Sequence, residues 1–387
     1  MTDTLQPGTS DLAVYFLSQG EQPATAVAER VALFIAGTRA SLDIALYDCR
    51  LSDPLKAILV NALRERAAAG VAIRIAYDAD KSPTPRYDVG GDPAPGGTGA
   101  FVQSLGYPWR RIGGLKLMHN KYLIRDAGSP TARVWTGSTN FTDDAWTLEE
   151  NNILEIGSTA LAGYYAQDFA QLWQRGHIEN TGNIDTAPIS ITYAAAPAQV
   201  EVLFSPGRGP AIDYEVAHRV ANAQRRVRVC SMLLNSGAVI AALGDLLHAG
   251  QVPVSGIYDR TQMESVLIQW RGVPHNHWKI GAVQDIVRAA HLVGKNSTPY
   301  SPTSPHDYMH DKVLVVDDTV ITGSYNFSHS AEQNAENILI IESPALAETY
   351  GRYIDHLMAK YGPLSRPLGA EFNGGASPGP YPAQGND

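Results

Sequence analysis

The feature that most constrains the fold of this chain is a long internal repeat. The segments LMHNKYLIRD, 117–126, and YMHDKVLVVD, 308–317, both contain His-x-Lys followed, after four residues, by Asp. Each is followed by Gly-Ser-x-Asn-Phe and then by Glu-Asn and an apolar run. A repeat this long within 387 residues predicts two similar halves, and we expect a pseudo-two-fold axis to relate them.

The order of the predicted elements supports the same division. Helix-like and strand-like segments alternate in both halves, and AAAGVAIRIAYD and LHAGQVPVSGIYD are especially alike. Such alternation indicates an α/β fold, with mixed sheets flanked by helices. We predict an N-terminal half over residues 1–188, a C-terminal half over 189–365 and a tail without regular structure over 366–387.

Each half also has a loop rich in Pro, Gly and Ser ahead of its histidine motif, at residues 81–99 and 294–308. Long loops in compact domains commonly carry function, so we expect these two to form substrate walls. Four aromatic residues lie in or before the second loop, where they could pack in the core or form a substrate lip: Trp270, Trp278, Tyr300 and Tyr308.

The motif segments HNKYLIR and HDKVLVV are typical of strands, in which alternate residues share a face. The same rule applies to the Gly-Ser-x-Asn segments that follow. It pairs His119 with Lys121, Ser138 with Asn140, His310 with Lys312, and Ser324 with Asn326. Each half is therefore expected to direct an imidazole, an ammonium group and a carboxamide toward one place.

Two such sets facing each other would suit a phosphate group. Lysines and amides supply positive charge and donors to its oxygens. Histidines on opposite sides suit in-line displacement, because one can attack phosphorus while the other protonates the leaving oxygen and then activates water or an alcohol. With the cations already in the protein, no metal or other cofactor is required.

A carboxylate behind each imidazole would fix its tautomer and stabilise its charged form. Glu150 and Glu336 are the candidates, because they follow Asn140 and Asn326 by ten residues in both halves. Glu149 is an alternative to Glu150 in the first half.

These residues resemble the phospholipase D superfamily, whose signature is the duplicated His-x-Lys-x4-Asp followed by Gly-Ser-x-Asn. The resemblance covers roughly residues 15–362 and implies the bilobal fold of that family. It implies a covalent phospho-histidine, with His119 as nucleophile and His310 as acid and base. It further implies that Asp126 and Asp317 are structural supports, and that one chain carrying both halves suffices as a monomer.

The resemblance leaves the substrate open. A net charge of −9 favours hydrolysis or transfer of phospholipid headgroups over action on nucleic acid. A metal-independent nuclease is the alternative, and its basic channel would use Arg110, Arg111, Lys116, Arg271 and Lys279. Cardiolipin-synthase-like transfer is a third variant, but it usually goes with membrane anchors. A non-catalytic scaffold is the remaining alternative, and such a protein would tend to lose a motif His or Lys, whereas all four are present here.

The remaining features argue for an ordinary cytoplasmic enzyme. We see no signal peptide and no membrane-spanning segment. Cys49 and Cys230 are expected to be buried free thiols. His275 and His277, in PHNHW, lack a third ligand, so we predict no metal site there.

Overall fold

The computed structural model describes residues 10–78, 97–301 and 304–369. The first half contains β1 (Leu12–Leu17), α1 (Ala24–Ala36), β2 (Ser41–Leu46), β3 (Cys49–Arg50), α2 (Asp53–Ala68), β4 (Ala72–Asp78), α3 (Thr98–Ser104), β5 (Trp109–Ile112), β6 (Lys121–Arg125), β7 (Arg133–Gly137), β8 (Phe141–Thr142), α4 (Asp143–Thr147), β9 (Asn151–Gly157) and α5 (Thr159–Arg175).

The second half contains β10 (Ile189–Tyr193), β11 (Ala196–Ser205), α6 (Gly209–Ala221), β12 (Val227–Ser231), α7 (Gly237–Ala249), β13 (Val254–Asp259), α8 (Arg260–Arg271), α9 (His277–Ala289), β14 (Val293–Lys295), β15 (Lys312–Val316), β16 (Thr319–Gly323), α10 (His329–Gln333), β17 (Glu336–Glu342) and α11 (Pro344–Tyr361). Short 3-10 helices cover Pro274–Asn276 and Gly362–Leu364.

The two main sheets repeat one topology. The first has the strand order β1-β9-β7-β6-β2-β4-β5, and the second has β10-β11-β17-β16-β15-β12-β13-β14. With β10 set aside, the orders correspond strand for strand. In both sheets the last three strands pair in parallel and the others antiparallel. The predicted α/β class, with mixed sheets in two similar halves, is therefore confirmed.

Among the elements that were not predicted from the sequence are β1, β5, β10, β11, β14, α8 and α9. Most of the loop at 81–99 and the tail beyond residue 369 lie outside the described residues. The described part of the loop at 294–308 has no helix after β14. The boundary at residue 188 stays a prediction, and it falls between α5 and β10. No helix in the described ranges has the length and apolar character needed to cross a bilayer.

The helices α5 and α11 lie between the halves. One buried cluster contains their inner faces together with residues of both sheets. Phe16 of β1 stacks on Tyr353 of α11 with ring centroids 4.0 Å apart, and Tyr165 of α5 packs edge-on against Phe204 of β11 at 5.2 Å. Burial of aromatic surface on this scale dominates packing energetics, so the core that joins the halves also sets their relative position.

The motif aspartates anchor the ends of their strands. Asp126, at φ 54°, accepts hydrogen bonds from the backbone N–H groups of residues 39–41, which lead into β2. Asp317, at φ 53°, does the same for residues 224–226 ahead of β12. Both carboxylates tie the far end of a motif strand to its neighbour, which fits the supporting role expected of them.

Candidate active site

The histidine motifs meet at the dyad through backbone pairing between the halves. The His119 N–H donates to the Ala335 carbonyl at 2.8 Å, and the His310 N–H donates to the Glu150 carbonyl at 3.0 Å. The reciprocal bonds run from Ala335 N–H to the Leu117 carbonyl at 2.8 Å and from Glu150 N–H to the Tyr308 carbonyl at 3.0 Å. Each histidine is therefore held by the chain that precedes β9 or β17 of the opposite half.

A second matched pair of bonds fixes the same segments. The Asp78 carboxylate, at the end of β4, accepts from the Met118 N–H at 2.7 Å. The Asp259 carboxylate, at the end of β13, accepts from the Met309 N–H at 2.9 Å. Sequence reasoning missed both aspartates, although they end the two segments noted as alike, AAAGVAIRIAYD and LHAGQVPVSGIYD.

The motif lysines are almost completely buried beside the histidines. Lys121 Nζ donates to the His119 carbonyl at 2.7 Å, and Lys312 Nζ donates to the His310 carbonyl at 2.5 Å. Burial lowers the pKa of Lys121 to about 7, and the Lys312 charge adds to that shift. Burial also lowers the pKa of Lys312. Burial thus disfavours the ammonium form of both lysines, and a bound anion would stabilise it.

The imidazoles have different partners at Nδ1. His119 Nδ1 lies 2.8 Å from Glu336 Oε2, a carboxylate with no solvent exposure. His310 Nδ1 lies 3.0 Å from Asn151 Oδ1 and 3.4 Å from Glu149 Oε2. Both orienting groups come from the opposite half. The expectation for Glu336 is met, and the partner at closest range to His310 is an amide that was not predicted.

The expectation that Glu150 stands behind an imidazole is wrong. Its carboxylate forms a salt bridge with Lys295 and accepts from the Tyr361 hydroxyl at 2.5 Å and from the Gln19 N–H at 3.1 Å. In the second half, Ala335 occupies the corresponding place. Glu150 thus braces the two halves, and the alternative, Glu149, is the acidic residue near His310.

The strand register explains this correction. The glycines of the Gly-Ser-x-Asn motifs pair Gly137 with Ile153 and Gly323 with Ile338. Two residues before these isoleucines come Asn151 and Glu336, so those two are equivalent. The first half has eleven residues from Asn140 to Asn151, whereas the second has ten from Asn326 to Glu336. Counting ten residues in both halves therefore selects the wrong position in the first.

The motif glycines allow neighbouring strands to meet closely. Gly137 and Gly323 have φ of 142° and 151°, and a Cβ on either would lie only 2.2 or 2.3 Å from the carbonyl oxygen of Asn152 or Asn337. The serine next to each glycine accepts from the N–H of the same asparagine, at 3.0 Å in both halves. Ser138 also donates to Asn151 Oδ1 at 2.7 Å, so it supports the amide behind His310.

The motif carboxamides are available for a ligand. The Oδ1 atoms of Asn140 and Asn326 are buried and accept no hydrogen bond from the described residues. Buried polar atoms without partners are uncommon and commonly mark places where a ligand or water binds. Two matched ones, each on the segment after a motif glycine, agree with the expected role of these asparagines.

Burial favours the neutral form of both imidazoles. Burial lowers the pKa of His119 to about 4, although the Glu336 carboxylate opposes the shift. Burial, with the charges of Lys312 and Lys121, lowers the pKa of His310 well below its usual value. The Nδ1 contacts leave Nε2 of His119 as the atom with a lone pair. The site therefore contains two neutral bases and two buried lysines, a set suited to an anionic electrophile.

The aromatic residues divide between core and surface. Trp270 and Tyr308 are buried, Tyr300 is half-buried, and Trp278 is 51% exposed. An aromatic contact missed from the sequence comes from Tyr47, whose ring packs edge-on against His119 at 4.7 Å, with Lys121 Nζ 4.9 Å from its centroid.

The basic and metal-binding candidates do not form a separate centre. Arg111 is buried, and Lys279 Nζ donates to the Asn235 carbonyl at 3.3 Å. His277 Nε2 contacts the Arg271 carbonyl at 3.0 Å. Within the described ranges, no three His, Cys, Asp or Glu side chains are grouped to hold a metal ion. Both cysteines are buried free thiols, as expected.

Comparison with known proteins agrees with this geometry. A family model described as "Cardiolipin synthase, PLD-like domain" matches residues 33–173 and 216–358. A phospholipase D of Rickettsia bellii is 27% identical over 155 residues, which are 40% of this chain and 66% of that protein. A mitochondrial cardiolipin hydrolase of Xenopus laevis is 28% identical over 149 residues, 38% of this chain and 61% of that protein.

The chain thus spans just under two thirds of the length of these two relatives. Among solved structures, the phosphatidylserine synthase of Haemophilus influenzae Rd KW20 superposes with a TM-score of 0.60 at 10% identity, covering 93% of this chain and 88% of that one. At that identity the match shows a shared fold alone.

Proposed function

The chain belongs to the phospholipase D superfamily, and on that basis we propose that it cleaves phosphodiesters through a covalent phospho-histidine, hydrolysing or transferring phospholipid headgroups. The observation that carries the proposal is the convergence at the dyad of two imidazoles, each held at Nδ1 by the opposite half, with two buried lysines. A phosphodiester supplies the anionic oxygens that these lysines need and the phosphorus that an imidazole can attack.

In the first step, Nε2 of His119 attacks phosphorus, forming an N–P bond while the P–O bond to the leaving alcohol breaks. The Nδ1–Glu336 bond supports this role, because a carboxylate stabilises the positive charge that develops on the imidazole. His310, protonated as the anionic substrate enters, gives its proton to the leaving oxygen. In the second step His310 takes a proton from water or an acceptor alcohol, whose oxygen attacks phosphorus and breaks the N–P bond.

The lysines and the carboxamides would stabilise the negative charge of the phosphate group. Lys121 and Lys312 would neutralise the non-bridging oxygens, and Asn140 and Asn326 would turn their amide groups to the same oxygens. These contacts strengthen as negative charge spreads over the oxygens in the transition state, so they contribute to rate as well as to binding.

A cavity of about 480 Å³, lined by residues of both halves, is the candidate pocket for a lipid headgroup. One wall includes Arg50, close in the chain to Tyr47, whose ring touches His119. Another includes His306, whose ring stacks on Tyr308 at 5.2 Å. These two neighbours connect the cavity to His119 and to the segment that carries His310.

The charges of this cavity favour an ammonium-bearing headgroup. Asp143 and Asp144 line it, while the Arg50 guanidinium is already bound to the Asp48 carboxylate at 2.7 Å. Carboxylates here would attract a cationic headgroup and repel the flanking phosphates of a polynucleotide. The names of the two relatives, a phospholipase D and a cardiolipin hydrolase, also point to phospholipids.

The test is a paired assay in EDTA. The purified protein is incubated with phosphatidylcholine vesicles and with single- and double-stranded DNA. His119→Ala is the blank, and His248→Ala, on the exposed face of α7, is the matched control. Headgroup release with intact DNA supports the proposal. Degraded DNA with intact lipid would overturn the lipid assignment, and the absence of both activities and of any phospho-histidine adduct would overturn the mechanism.

A further inference from the structure

The two halves contain the same pair of side chains in opposite order. In the second half, Asn334 Nδ2 donates to Glu336 Oε1 at 3.1 Å, and the carboxylate faces His119. The amide thus stands behind the carboxylate, and the carboxylate contacts the imidazole.

In the first half the order is reversed. Asn151 Nδ2 donates to Glu149 Oε2 at 2.9 Å, and the amide oxygen faces His310 at 3.0 Å. By strand register Glu149 takes the place of Asn334, and Asn151 takes the place of Glu336. The carboxylate thus stands behind the amide.

The orientation of the Asn151 amide is determined by its other contacts. Its Nδ2 also donates to the Ala145 carbonyl at 3.2 Å, and its Oδ1 also accepts from the Ser138 hydroxyl at 2.7 Å. Both partners of Nδ2 are acceptors, so the oxygen must face His310. His310 therefore donates from Nδ1 and, when neutral, has its lone pair on Nε2.

We propose that Asn151 is the positioning residue of His310 and that its neutral amide makes His310 the weaker base of the two imidazoles, while Glu149 aligns that amide from behind. The difference in basicity stands on the geometry alone. Its consequence for turnover rests on the proposed function, in which His310 must gain a proton as the substrate anion enters before it can protonate the leaving oxygen, so that its pKa sets the pH range of this step.

The physical reason is the charge of the Nδ1 partner. A carboxylate at hydrogen-bond distance stabilises an imidazolium by a full charge, whereas an amide oxygen offers only a dipole. The other groups that act on His310 are mostly cationic or become so, namely Lys312, Lys121, His119 and His306. Glu149 opposes them from 3.4 Å, but burial raises the pKa of its carboxyl and so weakens its charge.

The experiment exchanges the two side chains in the first half. The double variant Glu149→Asn with Asn151→Glu reproduces the order found in the second half, with total side-chain volume preserved. NMR titration of labelled imidazoles follows His310, whose signal is identified by its loss in His310→Gln. The His310 pKa should rise by on the order of one to three units, toward that of His119. An unchanged His310 pKa in the folded variant would overturn the proposal.

A second variant keeps the test decisive if the exchange does not fold. Glu149→Gln removes the weakened negative charge of that carboxyl but keeps an oxygen for the Asn151 amide, so the His310 pKa should fall, by less than the exchange raises it. A rise, or no change, would contradict the proposed role of Glu149. His119 is the internal control, and its pKa should move less than that of His310 in both variants.

The activity readout separates this inference from the proposed function. If the exchanged variant turns over lipid, the apparent pKa that His310 contributes to its pH–rate profile should rise. The rise should equal the change in the His310 pKa measured by NMR. A protein that cleaves no phosphodiester, but whose His310 pKa responds as described, would support the positioning role and overturn the proposed function.

Discussion

Glu336→Gln tests most directly how the site activates a histidine. Glu336 is fully buried, and its Oε2 lies 2.8 Å from His119 Nδ1. Its other oxygen accepts from the Asn334 amide at 3.1 Å. In the variant, the glutamine oxygen should keep that bond to Asn334, which turns the glutamine NH₂ group toward Nδ1. His119 would then have to accept at Nδ1 and move its proton to Nε2, the attacking atom.

The expected loss follows from these contacts. A hydrogen bond to a charged group contributes about 1.5–3 kcal/mol, which corresponds to about 10- to 150-fold in rate. The wrong tautomer adds to this, since the comparable Asp→Asn change in a serine-protease triad lowers kcat by about 10⁴-fold. We therefore expect kcat/KM for headgroup release to fall by between about 150-fold and 10⁴-fold.

The measurement is kcat/KM on phosphatidylcholine vesicles, with near-ultraviolet circular dichroism to verify the fold. Glu342→Gln is the matched control, because Glu342 ends the same strand, β17, and is exposed. The control should retain its rate. A folded Glu336→Gln protein that loses less than tenfold would refute the idea that this carboxylate sets the His119 tautomer.

Three further predictions follow from the same structure. His119→Ala should abolish turnover. His310→Ala should accumulate an acid-labile adduct on His119 when the substrate has a good leaving group. If peptide mapping found an adduct on His310 in the His119→Ala protein, the assigned roles would be reversed. Glu150→Gln leaves the buried Lys295 ammonium uncompensated, so the free energy of unfolding in urea should fall by about 3–5 kcal/mol. The turnover rate per folded molecule should stay the same. A fall in that rate would show that Glu150 acts in catalysis. Sulfate keeps a constant charge between pH 6 and 9. It should bind tightly below the Lys121 pKa of about 7 and more weakly above it, because the bound anion favours the ammonium form. Equal affinities at pH 6 and pH 9 by calorimetry would contradict the anion site.

The parts of the site that depend on local spacing were predictable. His119 and Lys121 are two residues apart at the start of a strand, and His310 and Lys312 repeat the arrangement, so their shared direction follows from strand geometry. The repeat also predicted that both halves contribute to one place. Asp126 and Asp317, for which the resemblance implied a supporting role, bond to backbone N–H groups at the far ends of the motif strands.

The contacts between distant segments were not predictable in the same way. Asp78 and Asp259 reach the motif segments across one intervening strand of the same sheet, and no local pattern distinguishes their carboxylates from others that end strands. Two helices, α8 and α9, separate β13 from β14, whereas the described residues between β4 and β5 contain the short helix α3. Such contacts depend on the order in which distant strands pair within each sheet.

Periodicity and repetition are local features, and they were enough to predict the two-half α/β fold, the family, and the meeting of the motif histidines and lysines. Which group stands behind each imidazole depends on tertiary contacts. One extra residue between Asn140 and β9 moves Asn151, in place of a glutamate, into the position opposite His310. In a strand, a shift of one residue turns each side chain to the other face, and strand pairing alone sets that register.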